Sequence, residues 1–189
     1  MHTNYLDVVQ FHVSPSPAIL EENDSIAEIE ALRREGKVRF VGMSGTIPEL
    51  EDQIKMDVFD VFQIPYSLVE REPEALIHKA AQAGAGIVMR GGVARGVIIK
   101  DESIIDEYPE FLRAGFRARR RAWRETEVDD LLDGMTPMEF MLRFTLSNPD
   151  MSTTIVGTAN PEHLKANVEA AARGPLPGDL YDAARARFR

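Results

Sequence analysis

Short apolar, β-prone runs alternate along this chain with longer stretches whose apolar positions recur at helical spacing. Leu6, Val8, Val9, Phe11 and Val13 predict a buried strand over Tyr5–Val13, and Ser14-Pro15-Ser16-Pro17 breaks it as a loop. Ile26, Ile29, Ala31 and Leu32 form the stripe of a helix from Asp24 to Glu35, and Gly36 stands where a helix-ending glycine belongs. Ser25 and Glu28 have the spacing of a capping box at its start. Further strands are predicted at Val38–Met43, Val58–Gln63, Gly86–Met89 and Thr153–Val156. Between and after them lie helices at Pro48–Lys55, Glu72–Ala83, Pro137–Leu146, Pro161–Ala172 and Leu180–Phe188. Arg90–Thr136 is long and irregular, with some helix expected inside it.

Strand followed by helix, five times and without hairpin signals, predicts an α/β fold with a parallel sheet. The strands are apolar on both faces, as a sheet covered on both sides requires. Two architectures fit that pattern, an open doubly wound sheet and a (β/α)8 barrel. A complete barrel takes about 250 residues and eight units. With 189 residues and five units, this chain would form only part of one.

Composition narrows the function classes. Hydrophobic residues make up 44% and charged residues 28%, as in ordinary globular domains. No apolar run reaches the roughly 18 residues of a membrane span, and the N-terminus shows no signal-peptide pattern. A cytoplasmic protein without a membrane partner is expected. The absence of cysteine excludes disulfides, thiolate catalysis and zinc–thiolate sites. A net charge of −9 argues against a nucleic-acid partner. Arg113, Arg117, Arg119, Arg120, Arg121 and Arg124 form a local basic run, with Glu125, Glu127, Asp129, Asp130 and Asp133 after it. A charge-paired helix is the simpler reading of that run, and an anion-binding patch the other.

In both architectures ligands bind beyond the carboxyl ends of the strands. Polar groups collect there: His12 after the first strand, Ser44 and Gly45 after the second, Gln63 at the third, Arg90-Gly91-Gly92 after the fourth, and Gly157-Thr158 after the fifth. An imidazole donates and accepts hydrogen bonds and exchanges protons near neutral pH. Ser44 and Gln63 suit an amide-bearing ligand, or they satisfy nearby backbone groups. Gly157-Thr158-Ala159-Asn160 leads into a helix whose N-terminal amides suit an anion, or Asn160 caps it. Gly42-Met43-Ser44-Gly45-Thr46 lacks the second glycine of a nucleophile elbow, and Gly84-Ala85-Gly86 lacks the third of a dinucleotide fingerprint. His2, His12, His78 and His163 have no metal-ligand spacing, so no metal is expected.

Several segments, in this order, resemble the aldo-keto reductases. They are Leu6-Asp7-Val8-Val9-Gln10-Phe11-His12, Arg34-Glu35-Gly36-Lys37-Val38-Arg39-Phe40-Val41-Gly42-Met43-Ser44, Phe62-Gln63-Ile64-Pro65-Tyr66-Ser67, and Ile155-Val156-Gly157-Thr158-Ala159-Asn160-Pro161-Glu162-His163-Leu164 with Asn167. The resemblance implies a partial (β/α)8 barrel of the TIM type: residues 1–189 as a single domain of about five β/α units, strands four to eight, plus a C-terminal helix. It implies NADP or NAD as cofactor and reduction of small aldehydes or ketones to alcohols. His12 would then orient and polarise the substrate carbonyl as the catalytic histidine, and Ser44 and Gln63 would bind the nicotinamide carboxamide. Arg90 stands where an aromatic residue usually stacks on the nicotinamide, and Gly91–Arg95, including Val93, would run beside the pyrophosphate. Gly157, Thr158, His163 and Asn167 match the adenosine-side positions. Because His163 stands for a frequent arginine and Gly157 for a frequent lysine, the case for NADP over NAD weakens. Gly45 replaces a frequent asparagine, and Val13 a frequent tryptophan.

The family's aspartate, tyrosine and lysine belong to the first three β/α units, which this chain is expected to lack. Tyr66, Tyr108 and Tyr181 do not match the proton-donor position. Two functions follow from the resemblance. The chain is a fragment or truncated form of a reductase, or it is an inactive partial barrel that binds nucleotide or a protein partner. Open sheet edges invite pairing, so self-association or pairing with a missing N-terminal half is expected in either case.

Overall fold

A computed structural model describes residues 3–94 and 102–188. His2 and Arg95, both named above, lie outside the described residues. Among the described residues five strands form one sheet in chain order: β1 (Leu6–Phe11), β2 (Val38–Met43), β3 (Val61–Pro65), β4 (Gly86–Arg90) and β5 (Thr153–Ile155). The sheet is parallel, with Phe11 opposite Met43 and Met43 opposite Phe62 in the register of the first three strands. Every crossover leads to the adjacent strand. An open doubly wound sheet reverses direction at a switch point, so the strand order selects the barrel arrangement of part of a (β/α)8 fold.

Among the described residues eight α-helices connect or follow the strands: α1 (Pro17–Glu22), α2 (Ser25–Arg34), α3 (Leu50–Lys55), α4 (Glu74–Gln82), α5 (Glu110–Glu125), α6 (Pro137–Leu146), α7 (Pro161–Ala172) and α8 (Gly178–Arg187). Helix α1 occupies sequence read as loop and its sequel. Pro17 sits at its first position, where no amide is needed, and the Ser16 hydroxyl accepts the Ile19 amide at 3.4 Å. The predicted capping box does not form. Asp24 is the N-cap in a left-handed conformation, and Ser25 is already helical. Strand β3 begins at Val61, later than the expected start at Val58. Asp60 then starts the ladder, its carboxylate taking the Val41 amide at 2.8 Å and the Arg33 guanidinium at 3.1 Å.

The chain divides into two compact units. The first contains the described chain up to Pro65, Glu72–Met89 and Asp150–Thr153; the second contains Tyr66–Arg71, the described residues from Arg90 to Pro149, and Thr154 onward. Val41, Met43, Leu50, Phe62, Ile64, Ile77, Ile87 and Met89 are buried in the first unit. Strand β1 departs from the buried strand expected: Leu6 and Val8 are exposed, and among the described residues β1 has a strand neighbour on one side alone. In the second unit Phe116 of α5 is buried with Ala94, Ile105 and Met141. Within the basic run Arg117, Arg119 and Arg124 are charge-paired, in line with the simpler reading. Arg117 bonds Asp106, Arg119 bonds Glu70, Arg124 lies 3.7 Å from Glu102, and Arg113 donates to the Tyr108 carbonyl.

Candidate functional site

In the first unit the parallel register brings three predicted residues to one end of the sheet. The Ser44 amide donates to the Phe11 carbonyl at 2.8 Å, so His12 and Ser44 leave adjacent strands side by side. Met43 lies opposite Phe62, which sets Gln63 level with Ser44. Side chains alternate between faces along a strand. Gln10 and His12, Gly42 and Ser44, and Val61 and Gln63 therefore share a face. His12 is exposed, Ser44 buried and Gln63 half-buried. The Gln63 side-chain oxygen accepts a hydrogen bond from Gln10 Nε2 at 3.0 Å.

The loop after His12 is held by groups that the sequence reading missed. Val13 and Ser14 both have positive φ, 62° and 49°, which is unfavourable for a β-branched residue. Ser14 compensates through its hydroxyl, which accepts the Thr46 amide at 2.9 Å and Gln53 Nε2 at 3.0 Å and donates to the Thr46 carbonyl at 3.3 Å. A hydroxyl has one donor and two acceptor sites, so Ser14 is saturated. Gln53 Nε2 also donates to the Pro15 carbonyl at 2.8 Å. One signal was available in advance: Gln53 is a polar residue on the buried stripe of α3, with Leu50 and Ile54.

Gly45 stands where the family resemblance puts an asparagine, and packing explains the glycine. A Cβ at this position would lie 2.7 Å from Leu50 Cδ1 and 2.9 Å from Gln53 Oε1.

The second unit holds the remaining predicted residues. Arg90 ends β4, and its carbonyl accepts the Tyr66 amide at 3.1 Å. Gly91 turns the chain at φ 72°, a conformation that favours glycine. The Ala94 amide closes this turn on the Gly91 carbonyl at 2.7 Å. Gly92 presses on α6, where an added Cβ would meet Thr145 Oγ1 at 2.8 Å. Val93 is buried with Leu142 and Ala170, so its side chain belongs to the core and only its backbone is left for a ligand.

Gly157 and Thr158 follow β5 and are exposed. Asn160 caps α7, its side-chain oxygen accepting the Glu162 amide at 3.0 Å while its own amide donates to Thr158 Oγ1 at 3.1 Å. The capping reading is therefore realised, and it uses one donor of the first turn. His163 and Asn167 lie one turn apart on the same face of α7. His163 is exposed and Asn167 half-buried. Tyr66 stacks on Phe144, Tyr108 meets Phe116 edge-on, and Tyr181 packs against Phe144. Among the described residues no three His, Asp or Glu side chains are grouped to hold a metal.

Comparison with known proteins agrees with this layout. The sequence profile described as the aldo/keto reductase family matches residues 1–186. An uncharacterized oxidoreductase of Bacillus subtilis is 26% identical over 180 residues, which cover 90% of this chain and 56% of that protein. A probable aldo-keto reductase of Glycine max is 22% identical, covering 91% of this chain and 52% of its own length. The holo form of an aldo-keto reductase from Bacillus halodurans superposes with a TM-score of 0.78 at 24% identity, over 99% of this chain and 62% of that one. The chain thus spans about half the length of the curated relatives it matches.

Proposed function

Because this chain belongs to the aldo/keto reductase family, we propose that it supplies the cofactor-holding part of a nicotinamide-dependent oxidoreductase that reduces aldehydes or ketones to alcohols. One observation carries this reading: His12, Ser44 and Gln63 stand together at the carboxyl ends of neighbouring parallel strands. Ser44 and Gln63 bring hydroxyl and amide groups suited to a carboxamide. His12, exposed beside them, orients and polarises a substrate carbonyl. In the second unit Arg90, Gly91 and the Val93 backbone are assigned to the nicotinamide and pyrophosphate, and Gly157, Thr158, His163 and Asn167 to the adenosine side. Gly91 supports that assignment, since an added Cβ there would meet nothing within 4 Å and the backbone stays approachable. The cofactor is NADP or NAD, and when bound it supplies the hydride.

Reduction of a carbonyl also needs a proton donor of tuned acidity. Tyr66, Tyr108 and Tyr181, which pack against Phe144 and Phe116, are not assigned that role, because they do not match the family's proton-donor position. We assign the donor to the part of the family fold beyond the length that this chain spans, and we place the protein in the cytoplasm. Among the described residues no helix is long and apolar enough to cross a membrane. A second reading is an inactive partial barrel that binds nucleotide and pairs through its sheet edge. The exposure of Leu6 and Val8 on β1 favours it.

Titration of the purified chain with NADPH and NADH, followed by nicotinamide fluorescence, tests the cofactor reading. Saturable binding of either is expected. A flat titration with both removes the cofactor assignment. Addition of a reactive aldehyde is expected to give little or no turnover, and robust turnover by the chain alone would overturn the claim that a further proton donor is needed.

A further inference from the structure

The backbone around His12 is pinned on both sides. Before it, the Phe11 carbonyl accepts the Ser44 amide at 2.8 Å. After it, Val13 and Ser14 take the left-handed conformation in succession, which a β-branched residue rarely adopts unless its surroundings impose it. Those surroundings are buried. The Thr46 amide donates to Ser14 Oγ at 2.9 Å, and Gln53 Nε2 donates to the same oxygen at 3.0 Å and to the Pro15 carbonyl at 2.8 Å. A backbone carbonyl only accepts, so Pro15 decides which end of the Gln53 amide faces the loop. Two N–H groups then fill the acceptor sites of Ser14, and its own proton goes to the Thr46 carbonyl. No member of this set can exchange donor for acceptor. Among the described residues no hydrogen bond reaches the exposed His12 side chain, so its place depends on the backbone that carries it.

We propose that Ser14 and Gln53 are positioning residues for His12: their buried clamp holds the left-handed turn, and the turn fixes the direction in which the His12 Cα–Cβ bond leaves β1 before any ligand arrives. The inference rests on the reading of His12 as the group that meets a substrate carbonyl. It goes beyond that reading by assigning a role to two buried residues outside the strand ends. A displacement of about 1 Å near a reacting centre can cost on the order of 100-fold in rate, so a clamp on the histidine's backbone has a functional consequence.

Backbone amide order parameters of the ligand-free chain test this. In wild type the His12 and Val13 amides should be as rigid as the strands, at about 0.85, and in Gln53→Met and Ser14→Gly they should fall below about 0.6. Methionine keeps the bulk that Gln53 supplies beside Leu50 and Ile54, and it removes the unpartnered buried oxygen together with the N–H groups. Glycine accepts the left-handed backbone and lacks the hydroxyl. A role confined to stability would lower the urea midpoints of both variants and leave the His12 amide rigid in the folded protein, and that result overturns the proposal. So does a mobile His12 amide in wild type, a measurement that needs no variant to fold. Nucleotide titration separates the two readings. A flat titration with a His12 amide that loosens in both variants removes the cofactor reading alone. Saturable binding with a His12 amide unmoved by either variant removes the clamp alone.

Discussion

Gln53 and Ser14 are joined side chain to side chain, Nε2 to Oγ at 3.0 Å, across 39 residues of sequence. The bond ties the loop after β1, which carries His12, to helix α3, and through the Thr46 backbone to the loop that carries Ser44. Both partners are buried. Gln53 Oε1 has no hydrogen-bond partner and faces Gly45.

Ser14→Ala is predicted to lower stability. It leaves the Thr46 amide and a Gln53 N–H without an acceptor in a buried place, at about 1–3 kcal/mol for each group left unsatisfied. Urea denaturation of the two proteins checks this, and equal midpoints for wild type and Ser14→Ala would refute it.

Gly45→Ala is predicted to destabilise by roughly 1–3 kcal/mol, because its Cβ overlaps Leu50 and Gln53 in a packed interior. Gln53→Ala removes one of those obstacles. The double variant should therefore lose less than the sum of the single losses, with a coupling of about 0.5 kcal/mol or more. Strict additivity in a double-mutant cycle would show that the contact does not matter.

Gly92→Ala should act in the second unit in the same way, since its Cβ would meet Thr145 Oγ1 and Cγ2 at 2.8 Å and 3.0 Å. Thr145 is fully buried, and its hydroxyl donates to the Gly92 or Met141 carbonyl. It has no easy way to retreat. A drop in melting temperature of several degrees is expected, at roughly 2–4 °C per kcal/mol for a chain of this size.

Acid should weaken the attachment of α8. A hydrogen bond from Arg187 holds the Asp130 carboxyl below its ordinary value of 3.8. A carboxyl whose pKa is lowered by folding contributes stability above the unfolded value and loses it as pH falls through the folded one. Asp130→Asn should thus narrow the gap between melting temperatures at pH 5 and about pH 3. An unchanged gap would show that the pair contributes nothing.

The open side of β1 gives a prediction about association. If the chain pairs there, Val8→Lys should shift sedimentation toward the monomer, because a charge on an edge strand opposes strand addition. Identical concentration dependence in wild type and variant would rule out this edge.

The alternation of apolar strands with amphipathic helices was enough to predict five parallel units, because each local period states which face must be buried. The glycines after α2 and α4 and the asparagine before α7 marked helix ends for equally local reasons: left-handed turns at Gly36 and Gly84, and a side-chain oxygen at Asn160. His12, Ser44 and Gln63 were legible as candidates from their place at strand ends. Their alignment depends on register, which hydrogen bonds between distant segments decide. The same holds for Gln10, Ser14 and Gln53, whose meaning lies in partners 32 to 53 residues away. The sequence alone gives no reason why Gly42, Gly45 and Gly92 must be glycines. In the tertiary structure each marks a place where another side chain fills the space that a Cβ would take.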